Sequence, residues 1–144
     1  MSLEAWLSHD HQFAPGEEIF RSEREFSVWA YTVSHSQLLL RARVADGQPR
    51  LDVLFKPVEA VKIRTDYEGL AIRCATVEER HRILSDLGQI GSRSRVLMLV
   101  SGGGLDYVIS SAVGWKEDHG DFRDPSSLAF FPPGTDPKRI LPGE

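Results

Sequence analysis

Residues 36–75 read SQLLLRARVADGQPRLDVLFKPVEAVKIRTDYEGLAIRCA. Leucine, valine, isoleucine and phenylalanine recur there at alternate positions in short runs, and turn formers separate the runs, which is the pattern of strands and not of helices. With the preceding EFSVWAYTV, the stretch predicts five strands, at 25–33, 36–44, 50–56, 58–64 and 69–75. The connections are Ser34-His35, Ala45 to Pro49 with Asp46-Gly47 inside it, Pro57, and Asp66 to Gly69. Links this short favour antiparallel neighbours, because a parallel crossover needs about a dozen residues or more.

Successive side chains of a strand point to opposite faces. One face therefore gathers Leu38, Leu40 and Val44, then Leu51, Val53 and Phe55, then Val61 and Ile63, then Leu70, Ile72 and Cys74. The other carries Arg41, Arg43, Asp52, Lys56, Lys62, Arg64 and Arg73. The expectation is a sheet with one dry side and one solvated, basic side.

Downstream, Thr76 and Glu79 have the spacing of a capping box, so a helix is expected from Val77 to about Leu87, with Gly88 as its stop. Val77, Ile83, Leu84 and Leu87 would form its apolar stripe. RVLMLV at 95–100 reads as a buried strand, and Leu105 to Trp115 as its partner across Gly102-Gly103-Gly104. The fold class that results is α+β and mostly β: about seven antiparallel strands in a curved sheet or partial barrel, with one main helix between the fifth and sixth strands. Residues 1–131 would form a single domain, with 1–24 peripheral, and 132–144 a Pro/Gly-rich tail.

Composition sets the outer bounds. The chain has 144 residues, 41% hydrophobic and 26% charged, with a net charge of −4; this is the balance of one soluble globular domain. A single cysteine, Cys74, allows no internal disulfide. No apolar run reaches bilayer length and no signal peptide is legible at the start, so the reading is cytoplasmic, without a membrane. Thirteen arginines against four lysines point to a GC-rich, bacterial coding sequence. The net negative charge argues against a nucleic-acid binder. Charge is uneven, however: the middle of the chain is basic and both ends are acidic, as if the ends fold back near the sheet and partly neutralise it.

No complete catalytic or cofactor motif is present, and no cofactor is expected. The glycine triplet opens a strand and not a helix, so it lacks the geometry of a phosphate cradle. His9, Asp10 and His11, and the run Glu117, Asp118, His119, Asp121, Asp124, lack a diagnostic metal spacing and read as solvated loops. Cys74 shares the face of Leu70 and Ile72 and reads as a buried small hydrophobe. His81 reads as a helix-surface histidine, and Ser34-His35-Ser36 offers hydroxyl and imidazole only as sequence neighbours.

Two positional features remain. Arg41, Arg43, Lys62, Arg64 and Arg73 come from separate strands yet share a side, a candidate contact for an acidic protein surface. Trp29, Tyr31, Tyr107 and Trp115 are candidate walls of a small-molecule pocket. The leading functional expectation is a non-enzymatic binding or protein-interaction domain of regulatory or inhibitor type. A small-ligand-binding partial barrel is the alternative, and a metal-dependent enzyme ranks third.

Overall fold

The computed structural model describes residues 4–45 and 47–128, and the expected tail at 132–144 lies outside them. Seven strands and one helix follow in the order β1 (Glu4–Leu7), β2 (Glu18–Thr32), β3 (Gln37–Ala42), β4 (Arg50–Lys62), β5 (Asp66–Cys74), α1 (Val77–Leu87), β6 (Arg95–Ser101) and β7 (Gly104–Asp118). The class is the expected one: antiparallel strands in a strongly curved sheet, and a helix between the fifth and sixth. The curvature goes to closure, since β2 pairs β3, β3 pairs β4, β4 pairs β7, β7 pairs β6, β6 pairs β5, and β5 returns to β2. Closure leaves these six strands little open edge.

Inside the ring the alternating apolar residues form one packed cluster. Phe26, Leu40, Val53, Phe55, Ile72, Leu97 and Val113 are fully buried there, and Trp115 packs against Phe20 with ring centroids 5.0 Å apart. The barrel is thus filled by its own side chains. A second cluster, Ala75, Val96, Met98 and Ile109, lies under α1 and is covered by Ile83 and Leu84. The cap of α1 is as expected: Thr76 Oγ1 accepts from the Glu79 amide at 3.1 Å, and Glu79 Oε1 accepts from the Thr76 amide at 2.9 Å. Its stripe is narrower than expected, because Val77 and Leu87 stay exposed at the two ends of a helix that rests only its middle on the sheet.

Four other expectations are corrected. The segments 50–56 and 58–64 are not two neighbouring strands but one, β4, running through Pro57. Proline is tolerated there because the ladder to β3 has already ended at Phe55, which leaves position 57 without a β3 partner for the missing N–H. Consecutive strands are also not always neighbours: β5 lies between β2 and β6, and the residues after Lys62 carry the chain away from β4. Strand β2 begins at Glu18, before the expected start at residue 25; its first half pairs with β5 although its alternation is mostly polar. Finally, the outer face of β3 and β4 is not solvated. Arg41 and Asp52 are 1% and 2% exposed, and Leu39 and Leu54 are buried beside them, while Val44 and Val61, expected inside, are exposed near strand ends.

The cover on that outer face is the chain's own acidic C-terminal side. Arg41 grips Asp52 through two bonds of 2.7 and 3.0 Å and donates Nη1 to the carbonyls of Phe122 and Asp124. Arg50 likewise grips Asp118 at 2.8 and 2.9 Å and donates to the carbonyls of Asp121 and Asp124. Two arginines thereby strap residues 121–124 across the barrel wall.

Candidate functional site

The five basic residues singled out from the sequence lie on the outside of a closed ring, so a shared side does not make them one surface. Each has a carboxylate partner: Arg41 with Asp52, Arg43 with Glu25, Lys62 and Arg64 with Asp106, and Arg73 with Glu79. Asp106 is held below its ordinary value, burial opposing the stronger combined effect of bonds from Arg64, Tyr67 and Lys62. The Tyr67 hydroxyl, which donates to Asp106 at 2.8 Å, is pushed well up by its burial. These contacts tie the end of β4 and the start of β5 to the start of β7.

The four aromatics are likewise dispersed. Trp115 is inside the barrel; Tyr107 packs against the cluster under α1; Trp29 lies outside, against Phe122 at 4.7 Å and Arg41 at 4.9 Å; Tyr31 is half exposed. Cys74 is free and buried, and burial raises its thiol pKa. Among the described residues no group of three or more His, Cys, Asp or Glu side chains gathers closely enough to hold a metal ion, so neither His9-Asp10-His11 nor the 117–124 run forms such a group there.

What the fold does assemble is a notch where two strands share one edge of β7. Strand β4 lies along one edge of β7; on the other, β6 pairs from Gly104 to Ser110 and β1 only from Val113 to Lys116. Ser111 and Ala112 fall in the gap. Above them opens a cleft of about 510 Å³, walled by Trp6, Ser8, His9 and Asp10 on one side, Lys56 and Pro57 on the β4 side, and Arg93 and Arg95 on the third. That volume is within the range of small-molecule sites, roughly 300–1,000 Å³.

Each wall has a local cause. Trp6 lies against Gly114, where an added Cβ would come 2.2 Å from the indole, so only glycine admits the ring. The Lys56 ammonium sits over the same ring, 5.8 Å from its centroid. Burial of the lysine lowers its pKa. Gln12 closes the Ser8–Gln12 turn by accepting from the amides of Ser8 and His9, both at 2.9 Å, and the His9 and His11 rings stack 5.9 Å apart. Glu59 of β4 ties down the loop before β6, accepting from the Gly91 amide at 2.8 Å and from the Ser94 hydroxyl, and these bonds hold its carboxyl below the ordinary range. Arg93 projects from that loop, exposed, its guanidinium in no hydrogen bond or ion pair with another described residue.

Arg95 is the fixed element. Its guanidinium carbon lies 4.4 Å from the centre of the Phe13 ring, Nη1 donates to the carbonyls of Ser111 at 2.6 Å and Arg93 at 2.8 Å, and Nη2 meets Asp10. The cleft therefore sets three cations against one carboxylate, with the hydroxyls of Ser8 and Ser111 beside them. Cations and hydroxyls around a half-covered indole are suited to an oxyanion attached to a flat or apolar body. Sequence reading placed Lys56 on the solvated face and His9-Asp10-His11 in a loop but singled out neither Trp6, Arg93 nor Arg95, and nothing in sequence spacing joins positions 6, 56, 93 and 95. The one signal was Ser-Arg-Ser-Arg at 92–95, two arginines two apart where the loop enters β6.

In comparisons with protein families, with curated proteins and with solved structures, the chain has no match.

Proposed function

We propose that the protein is a binding module and not a catalyst, and that its ligand is a small molecule carrying a phosphate or carboxylate, taken up in the notch between β1 and β6. The observation that supports this reading is the convergence of Lys56, Arg93 and Arg95 around the cleft beside Trp6. It departs from docking of an acidic protein on the basic strand residues, since those cations are distributed around the outside of the barrel, each beside its own carboxylate, and do not converge on one cleft. It also moves the ligand from the barrel interior, which is packed with side chains, to the outer wall. A cytoplasmic setting suits a lone, free cysteine. Among the described residues no helix is long and apolar enough to cross a membrane.

Titrating ¹⁵N-labelled protein with inorganic phosphate and with phenyl phosphate at low salt tests the reading. Shifts confined to the Trp6 indole and the amides of Ser8, His9, Ser111 and Ala112, weakened in Arg93→Ala, are expected. Shifts scattered over the surface and indifferent to that substitution would refute it.

A further inference from the structure

The Asp10–Arg95 pair is unequal. The Arg95 side chain is 13% exposed, packed on Phe13 and bonded to two carbonyls, whereas the Asp10 side chain is 97% exposed. One partner is built into the wall; the other reaches it from solvent. Their contact also stands between two clefts, since both residues line the notch and, on its far side, a second cleft of about 260 Å³ whose walls include Phe13, Cys74 and Val96. An arginine whose packing and Nη1 bonds are satisfied, with its remaining Nη2 edge met by a carboxylate that reaches it from solvent, is a preorganised anion subsite already occupied.

We infer that Arg95 is the inner anion-binding position of the notch and that Asp10 is its resident counter-ion, which the phosphate or carboxylate of the ligand must displace. This rests on the notch reading above and adds to it a competitor and an order of contacts. The ligand anion meets Arg93 and Lys56 first, at the open side, and takes Nη2 of Arg95 as Asp10 swings out. Asp10 thereby sets a threshold: an anion weaker than a carboxylate at that edge gains only the outer cations. Displacement also opens the partition towards the smaller cleft, leaving room for a ligand whose apolar part extends past Arg95. With the Asp10 side chain almost wholly in solvent, the pair is worth only a few-fold in affinity, so the competition is light enough for a small ligand to win.

The test compares wild type, Asp10→Ala and Glu23→Ala for binding of inorganic phosphate and phenyl phosphate at low ionic strength, by calorimetry and by the same amide shifts. Glu23 is an exposed acid of β2, which pairs with neither β1 nor β7, and it lines neither cleft beside the Asp10–Arg95 pair, so it controls for net charge. Asp10→Ala is expected to bind about two- to fivefold more tightly, the fold-change that corresponds to losing an exposed pair. Glu23→Ala should show less than half of that gain, and Arg95→Gln in the Asp10→Ala background should cancel it. Equal affinity of wild type and Asp10→Ala, with shifts still at the notch, would overturn the counter-ion inference alone. Equal gains in Asp10→Ala and Glu23→Ala would do the same. Absence of notch shifts in every variant would overturn the notch reading with it.

Discussion

Glu79 shows how much one side chain can carry. It closes the cap of α1 through the Thr76 amide and also takes both Nη atoms of Arg73, at 2.6 and 2.8 Å, so it joins helix to β5. The Arg73 bonds, more than the cap, hold its carboxyl down at about 2 from an ordinary 4.5, against a smaller opposing effect of burial. A depressed carboxylate stabilises the fold fully above its unfolded value and loses that contribution as pH falls through the folded one. Glu79→Gln should therefore cost on the order of 1–2 kcal/mol at pH 6, and the gap to wild type should shrink between about pH 4.5 and pH 2. Denaturant midpoints across that range check it; a gap independent of pH would mean that the charge on Glu79 contributes nothing.

Among the strands, β1 is held least. It has four residues, pairs with β7 alone, and depends on Trp6 lying over Gly114. A methyl group at 114 would meet the indole at 2.2 Å and the Ala5 carbonyl at 2.7 Å, and backbone cannot give way as a side-chain tip does. Gly114→Ala should thus lift β1 from β7, destabilising the protein by about 1–3 kcal/mol, the usual cost of overpacking. Amide exchange in β1 should quicken while that of β3 and β5 changes little. Because Trp6 walls the notch, phosphate-induced shifts should weaken in the same variant.

At the scale of the whole molecule, the outer wall of β3, β4 and β7 is closed by arginines bonded to backbone carbonyls. Arg41 serves Asp52, Phe122 and Asp124 together, from a side chain with no exposure. Arg41→Ala leaves Asp52 buried without its cation and the strap without a donor, and breaking a buried pair in this way costs about 3–5 kcal/mol. Thermal unfolding should show the loss, and limited proteolysis should cut more readily near residues 121–124. Replacing Arg41 and Asp52 together by Met and Leu should recover much of the stability, since two buried charges are costly to desolvate. A single Arg41→Ala that melts with wild type would show the pair to be idle.

The sequence by itself determined the local elements: the strands of residues 36–75 by alternation, α1 by its Thr76–Glu79 cap, the β6–β7 hairpin by its glycines, and the burial of Cys74 by the face it shares with Leu70 and Ile72. These follow from periods and spacings within about ten residues. Of the acidic end expected near the sheet, Asp118 pairs with Arg50, whereas the 121–124 segment is held through its backbone carbonyls and not through its charge. Only tertiary structure decided that β4 runs through Pro57, that the polar start of β2 is a strand, and that the sheet closes. Each depends on which partner edge is available, and pairing partners lie tens of residues apart. Closure decided the site as well. It turned one basic face into the outside of a barrel, distributed among carboxylate partners, and brought residues 6, 10, 56, 93 and 95 together at the gap where β6 ends on β7 and β1 begins.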